Sequence, residues 1–215
     1  MKKINYLTAG ESHGKCLLGI VEGIPAKLKI SKSDINDQLF RRQCGYGRGG
    51  RMKIENDKVE ILSGVRNGLT IGAPIGLKID NLDWKNWKDV MSVKEHSYKM
   101  DKITLPRPGH ADLAGIQKYG MDDIRNIMER SSARETAMRV GIGSICRRLL
   151  AEVGINVASR VIQIHDIIDD ITKVNYDDNL INLNKLFDQS DLRCGNVGIA
   201  NKMKKRIDFA KAKGD

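Results

Sequence analysis

The chain has 215 residues, of which 40% are hydrophobic and 30% charged, the balance of a globular protein with a packed core rather than a disordered one. No apolar run approaches the roughly 20 residues of a bilayer span, and Lys2 and Lys3 lead into no apolar segment, so the sequence reads as cytoplasmic, without a signal peptide or a membrane partner. The formal net charge of +10 would repel itself unless an anionic partner uses it: nucleic acid, an acidic membrane or a phosphorylated small molecule.

In chain order, residues 4–9 and 16–22 are β-prone stretches around the loop Gly10-Glu11-Ser12-His13-Gly14. Ser31 or Ser33 caps a short helix carrying Ile35 and Leu39 and ending near Gly45. Alternation of Met52 and Ile54, then Val59 and Ile61, predicts a hairpin over 51–55 and 58–62 around Asn56-Asp57. A strand follows over 74–80. Residues 81–103 read as a polar surface excursion, with Trp84 and Trp87 as surface anchors rather than a stacking platform. A helix after His110 carries Leu113, Ile116 and Tyr119 and stops at Gly120. Ser132-Ala133-Arg134-Glu135 fits a capping box opening the clearest helix, where Ala137, Gly141, Ile145 and Leu149 recur on one face as far as Gly154. A strand over 155–164, an acidic run over 166–191 and a lysine-rich amphipathic stretch over 201–213 complete the chain. This mixed order predicts an α+β fold in a single domain, 1–215, rather than a repeating parallel βαβ sheet.

Four groups carry the chemistry. Arg41 to Arg51 packs four arginines and four glycines into eleven residues. Glycine admits close approach to a ligand, and arginine forks match phosphate or carboxylate oxygens. The rival reading is an RNA contact of the RGG type. His13 stands in a glycine-flanked loop and can exchange a proton near neutral pH, or be a surface histidine without a role. Arg107-Pro108-Gly109-His110-Ala111-Asp112 sets His110 at a helix start, where Asp112 orients the ring or caps the helix. Arg130-Ser131-Ser132-Ala133-Arg134 offers hydroxyls, arginines and helix-start N–H groups to a phosphate, or is an ordinary cap with solvated arginines. His96 and His165 read as structural. Cys16, Cys44, Cys146 and Cys194 lack metal-ligand spacing, so no metal site is expected.

Together and in this order the four groups resemble the chorismate synthase family. The matching text is Gly10 to Gly14, Arg41 to Met52, Ile61-Leu62-Ser63-Gly64-Val65, Arg107 to Asp112 and Arg130 to Ala137. The resemblance implies antiparallel sheets sandwiching helices (a β-α-β sandwich) and a homotetramer. It implies the anti-1,4-elimination of phosphate from 5-enolpyruvylshikimate 3-phosphate to give chorismate, with reduced FMN and, in some members, NADPH as flavin reductant. His13 then serves the leaving phosphate as an acid, and His110 serves the flavin. Arg48, Arg51, Arg107 and Arg134 would hold substrate phosphate and carboxylates. Arg42 and Arg48 match NADPH positions, and Arg130, Ser131 and Ser132 match an FMN-contacting segment. Met128-Glu129 and Gln43-Cys44 depart from the text of some members. Members also run substantially further, so the chain reads as an N-terminal portion, incomplete at its C-terminus, with little or no turnover alone. The competing expectations are a non-catalytic remnant and an RNA-binding module; the leading one involves no nucleic acid.

Overall fold

The computed structural model describes residues 3–47, 54–95, 101–170 and 179–214. The chain divides into two compact units: Met1–Leu39 with Lys53–Cys146, and Phe40–Met52 with Arg147–Asp215.

The first unit is built on an antiparallel sheet. Strands β1 (Asn5–Ala9), β2 (Cys16–Glu22), β3 (Val59–Ile61) and β6 (Ile75–Asp80) lie in the order β1-β2-β6-β3. Alternation sorts β2 cleanly: Leu17, Gly19 and Val21 face inward, while Leu18 and Ile20 face out. Ile75, Leu77 and Ile79 of β6 and Val59 of β3 extend the buried face. Helix α5 (Thr136–Glu152) packs on it through Met138 and Ile142, so tightly that a Cβ on Gly19 would lie 2.5 Å from the Met138 sulfur. Gly141 brings the same helix against Leu77 and against Ile35 of helix α1 (Lys32–Gln43). Burying one such Ile or Leu contributes about 1.5–3 kcal/mol.

Local signals explain most element ends. Ser31 caps α1 reciprocally: its Oγ accepts from the Asp34 N–H at 3.3 Å, and its own N–H donates to Asp34 Oδ2 at 2.8 Å. The β1–β2 turn needs Gly10, whose φ is 104° and whose Cβ would meet the Cys16 carbonyl oxygen at 2.4 Å. Helix α3 (Asp112–Tyr119) ends on Gly120 in the left-handed conformation, as its sequence predicts. Helices α2 (Trp84–Trp87) and α4 (Arg125–Arg130) are short, and a 3-10 turn over Ala133–Glu135 leads into α5.

Several expectations are corrected. Of the hairpin predicted over 51–55 and 58–62, residues 51–53 lie outside the described residues, 54–57 form no strand, and β3 pairs with β6, Val59 opposite Ile79. The alternation is real, but Glu55 and Asp57 share the buried side with Val59 because they answer a buried arginine. The sequence contains a different hairpin: β4 (Val65–Arg66) and β5 (Leu69–Thr70) join through Asn67-Gly68, both at positive φ. Ser132 caps the 3-10 turn by accepting from the Arg134 N–H, while the Glu135 carboxylate takes Thr8 Oγ1 and Arg139 instead of turning back to close the box.

The second unit holds a hairpin of β7 (Gln163–Ile164) and β8 (Ile167–Ile168), helix α6 (Leu180–Asp188) and helix α7 (Val197–Ala212). The strand predicted over 155–164 contracts to β7; Val161 instead donates its N–H to the Arg193 carbonyl at 3.0 Å. Asn179 and Asn196 cap α6 and α7. Leu192, Cys194, Ala200 and Met203 form the core, with Tyr46 and Ile207 packed against it. Each unit mixes helices with antiparallel strands, so the fold is α+β.

Candidate active site

His13 sits in the β1–β2 loop between two walls. Its imidazole stacks on the Trp87 indole, centroids 3.9 Å apart and planes 24° from parallel. Trp87 in turn donates its indole N–H to Asp83 at 3.1 Å. The other wall is Glu129, at the C-terminal end of α4. Its buried carboxylate accepts the His13 backbone N–H at 2.7 Å and meets Nδ1 at 2.8 Å. The Glu129 carbonyl accepts the Ser12 N–H at 3.0 Å, and Ser12 Oγ bonds Ser132 Oγ at 3.0 Å. Two motifs far apart in sequence, Glu11 to Gly14 and Arg130 to Arg134, therefore meet at one place.

Beneath this loop lies a buried polar cluster. The Arg134 side chain is 5% exposed; it pairs with Asp57 and approaches Glu55 at 3.6 Å. Its Nε donates to Asn81 Oδ1 at 2.8 Å, and the Asn81 amide donates to the carbonyls of Gly14 at 2.7 Å and Glu11 at 3.1 Å. A buried guanidinium needs such partners, since its charge has lost water. The cluster ties both ends of the His13 turn to the start of α5. Arg134 is thus turned into the protein, unlike the solvent-facing fork its motif suggests.

The Arg107–Asp112 turn forms a second feature. Pro108 and Gly109 (φ 72°) make a turn closed by the His110 N–H on the Arg107 carbonyl at 3.4 Å. Asp112 is fully buried and neither orients His110 nor caps α3 by a side-chain bond. Instead it takes the Arg107 guanidinium at 2.8 and 2.9 Å and the Arg107 N–H at 3.0 Å. That fork holds the Asp112 carboxyl down at about 2. His110 is exposed and directly precedes Ala111. Ala111 lines an open apolar recess of about 570 Å³ with Ala114 and Gly115 of α3, Ile127 of α4, Met121, Arg130 and Ser131.

Arg130 reaches back to β1, donating to the Thr8 carbonyl at 3.0 Å and Thr8 Oγ1 at 2.9 Å. Ser131 Oγ donates to the Ile127 carbonyl at 2.6 Å. So of the predicted residues, His13, Arg130, Ser131, Ser132 and Arg134 come together, and Arg107 and His110 lie on the turn that leads to Ala111, which lines the recess without them. Arg42 belongs to the second unit; Arg48, Arg51 and His96 lie outside the described residues. His165 lies on the β7–β8 turn, paired with Asp166 and accepting from Arg206. Trp87, read from the sequence as a surface anchor rather than a stacking platform, stacks on His13 instead, because the short α2 brings it to the β1–β2 loop. Sequence reasoning missed Glu129, Asn81 and Asp57, whose roles depend on partners far away in the chain.

Three comparisons bear on this arrangement. Residues 4–215 match the family model described as chorismate synthase. A protein of Staphylococcus carnosus (strain TM300) named chorismate synthase is 50% identical over 99% of this chain and 55% of its own length. One of Chlorobaculum tepidum with the same name is 58% identical over 74% of this chain and 40% of its own length. A solved structure titled "Crystal Structure of Chorismate Synthase" superposes with a TM-score of 0.77 at 38% identity, covering 100% of this chain and 56% of that one. The chain thus spans about half the length of the relatives it matches.

Proposed function

The chain belongs to the chorismate synthase family, and from that premise we propose that it serves the elimination of phosphate from 5-enolpyruvylshikimate 3-phosphate to form chorismate, with reduced FMN bound. The observation that carries this reading is the meeting of the His13 loop with Arg130-Ser131-Ser132, secured by the Ser12–Ser132 bond. It sets a proton donor beside hydroxyl and guanidinium donors suited to phosphate.

The α3–α4 recess suits a flavin. Its lining of Ala111, Ala114, Gly115 and Ile127 leaves room for a flat ring system, and Arg130 offers donors to a phosphate, while Ser131 lines the recess with its hydroxyl and N–H turned onto the Ile127 carbonyl. Reduced FMN, held there, would supply transient electron density to the elimination. The chain's own part is positioning and charge. His13 supplies a proton to the departing phosphate. His110, beside Ala111, serves the flavin. Arg107 presents its guanidinium to a substrate anion while anchored on Asp112, with Arg48 and Arg51 as further anion holders. Arg134 braces the His13 turn from below. Arg42 and Arg48 are the NADPH contacts of this reading, the assembly is a homotetramer, and the setting is the cytoplasm; neither nucleic acid nor membrane takes part. At about half its relatives' length, the chain alone is expected to bind ligand with little or no turnover.

Anaerobic titration with reduced FMN in the presence of substrate tests this. Saturable binding is expected, weakened about tenfold in Arg130→Ala, the worth of one charge-assisted hydrogen bond. A folded chain that binds neither ligand would overturn the reading. Robust chorismate formation by the 215 residues would overturn only the expectation of low turnover.

A further inference from the structure

We infer that Glu129 is the positioning residue for His13: it fixes the ring's orientation and tautomer, so that Nδ1 carries the resident proton and Nε2 is the nitrogen that exchanges one with the ligand. The inference rests on the functional reading only in giving His13 a proton to transfer.

Glu129 is 5% exposed, so its carboxylate has exchanged water for protein donors. Two of those donors come from one residue, the backbone N–H of His13 to Oε2 at 2.7 Å and the ring Nδ1 to Oε1 at 2.8 Å. Among the described residues its carboxylate is bonded by His13, whereas Glu55 and Asp57 pair with Arg134. An ionised carboxylate can only accept, so the Nδ1 facing it must hold the hydrogen. A neutral imidazole then has its acceptor at Nε2. Gripping backbone and ring together also fixes where the ring stands relative to the loop. Turning the ring over would replace Nδ1 by a carbon and forfeit the bond, and the stacked Trp87 indole, itself held by Asp83, opposes that rotation. Among the described residues, the groups facing His13 are accordingly Glu129 from α4 and Trp87 from α2, with Asp83, at the start of α2, behind Trp87.

Histidine 15N NMR of the whole chain tests this directly, at a pH high enough for neutral imidazole. The His13 resonances, identified by their loss in His13→Asn, should show a protonated Nδ1 and an unprotonated Nε2. In Glu129→Ala the hydrogen should move to Nε2 as the major form, and Glu129→Asp, with a shorter reach, should give a mixture. A native His13 protonated mainly at Nε2, or a tautomer unmoved by Glu129→Ala, would overturn the inference. If Glu129→Ala fails to fold, the native spectrum and Glu129→Asp decide. Turnover plays no part in the measurement. Failure to bind reduced FMN or substrate with Nδ1–H intact would therefore sink the functional reading alone, and an Nε2–H form in a chain that binds them would sink this inference alone.

Discussion

Asp112 spends its charge on Arg107, and the consequence is a pH dependence of known sign. In the folded chain the fork from Arg107 holds the carboxyl at about 2, against an ordinary value of 3.8. A depressed carboxyl contributes stability that is fully present above the unfolded value and is lost as pH falls toward the folded one. The window here runs from near 3.8 down to about 2. Because the Arg107 side chain is 39% exposed, solvent screening trims the contribution to about 1 kcal/mol. Urea denaturation at stepped pH should show Asp112→Asn less stable than the native chain at pH 7, with the gap closing through that window. Parallel curves would show that the pair contributes no pH-linked stability. The motif text made Arg107 and Asp112 conspicuous but left their partnership unread. A turn brings residues five apart face to face only once Pro108 and Gly109 have set its angle. Glu129 was harder still: it lies 116 residues from His13, and no local periodicity reports such a contact.

Elements with local signals were legible, and those defined by distant partners were not. β1, β2, α1 and α3 have caps, glycines or alternation that belong to themselves. β3 looked like half of a local hairpin because its alternation was visible and its partner β6 was not. Asn67-Gly68 was a readable turn that the alternation argument passed over. Packing between elements was equally hidden, and two glycines separate it from intrinsic propensity. A Cβ on Gly115 of α3 would stand 2.5 Å from Ile127 Cγ2 of α4, inside any tolerable contact. Gly115→Ala must displace the Ile127 side chain that α4 packs there, at a cost of about 1–3 kcal/mol. Gly143 of α5 is exposed, and nothing lies within 4 Å of its Cβ position. Gly143→Ala should therefore stabilise by about 0.5–1 kcal/mol through helix propensity. Thermal melts of the two variants should move in opposite directions, Gly115→Ala downward and Gly143→Ala upward. A shared direction would mean that propensity, not the α3–α4 contact, decides both. Since Gly115 and Ile127 also line the recess, the same variant should weaken flavin binding.

At the scale of the whole molecule the net charge of +10 was readable from the start, but not its purpose. Composition left nucleic acid, membrane and phosphorylated small molecule open, and only the joint order of motifs selected among them. The described residues show how a cationic chain organises part of that charge. Arg134 is neutralised inside by Asp57, and Arg107 is aimed by Asp112. Diffuse charge and built anion sites differ in their response to ions. Salt screens diffuse repulsion with a Debye length of about 10 Å at 0.1 M, whichever anion is used. A built site instead gains stability by mass action with the ligand that fits it. At ten times its Kd, a phosphate-bearing ligand would add about 1.4 kcal/mol, or about 3–6 °C in Tm for a chain of this size. Calorimetric scans with pyrophosphate as the probe, against sodium chloride at equal ionic strength, should show that excess. Arg130→Ala should reduce it, because its guanidinium sits where the two ligand motifs meet. Equal melting temperatures in the two salts would mean that the positive charge is diffuse, and would return nucleic acid to contention as its partner.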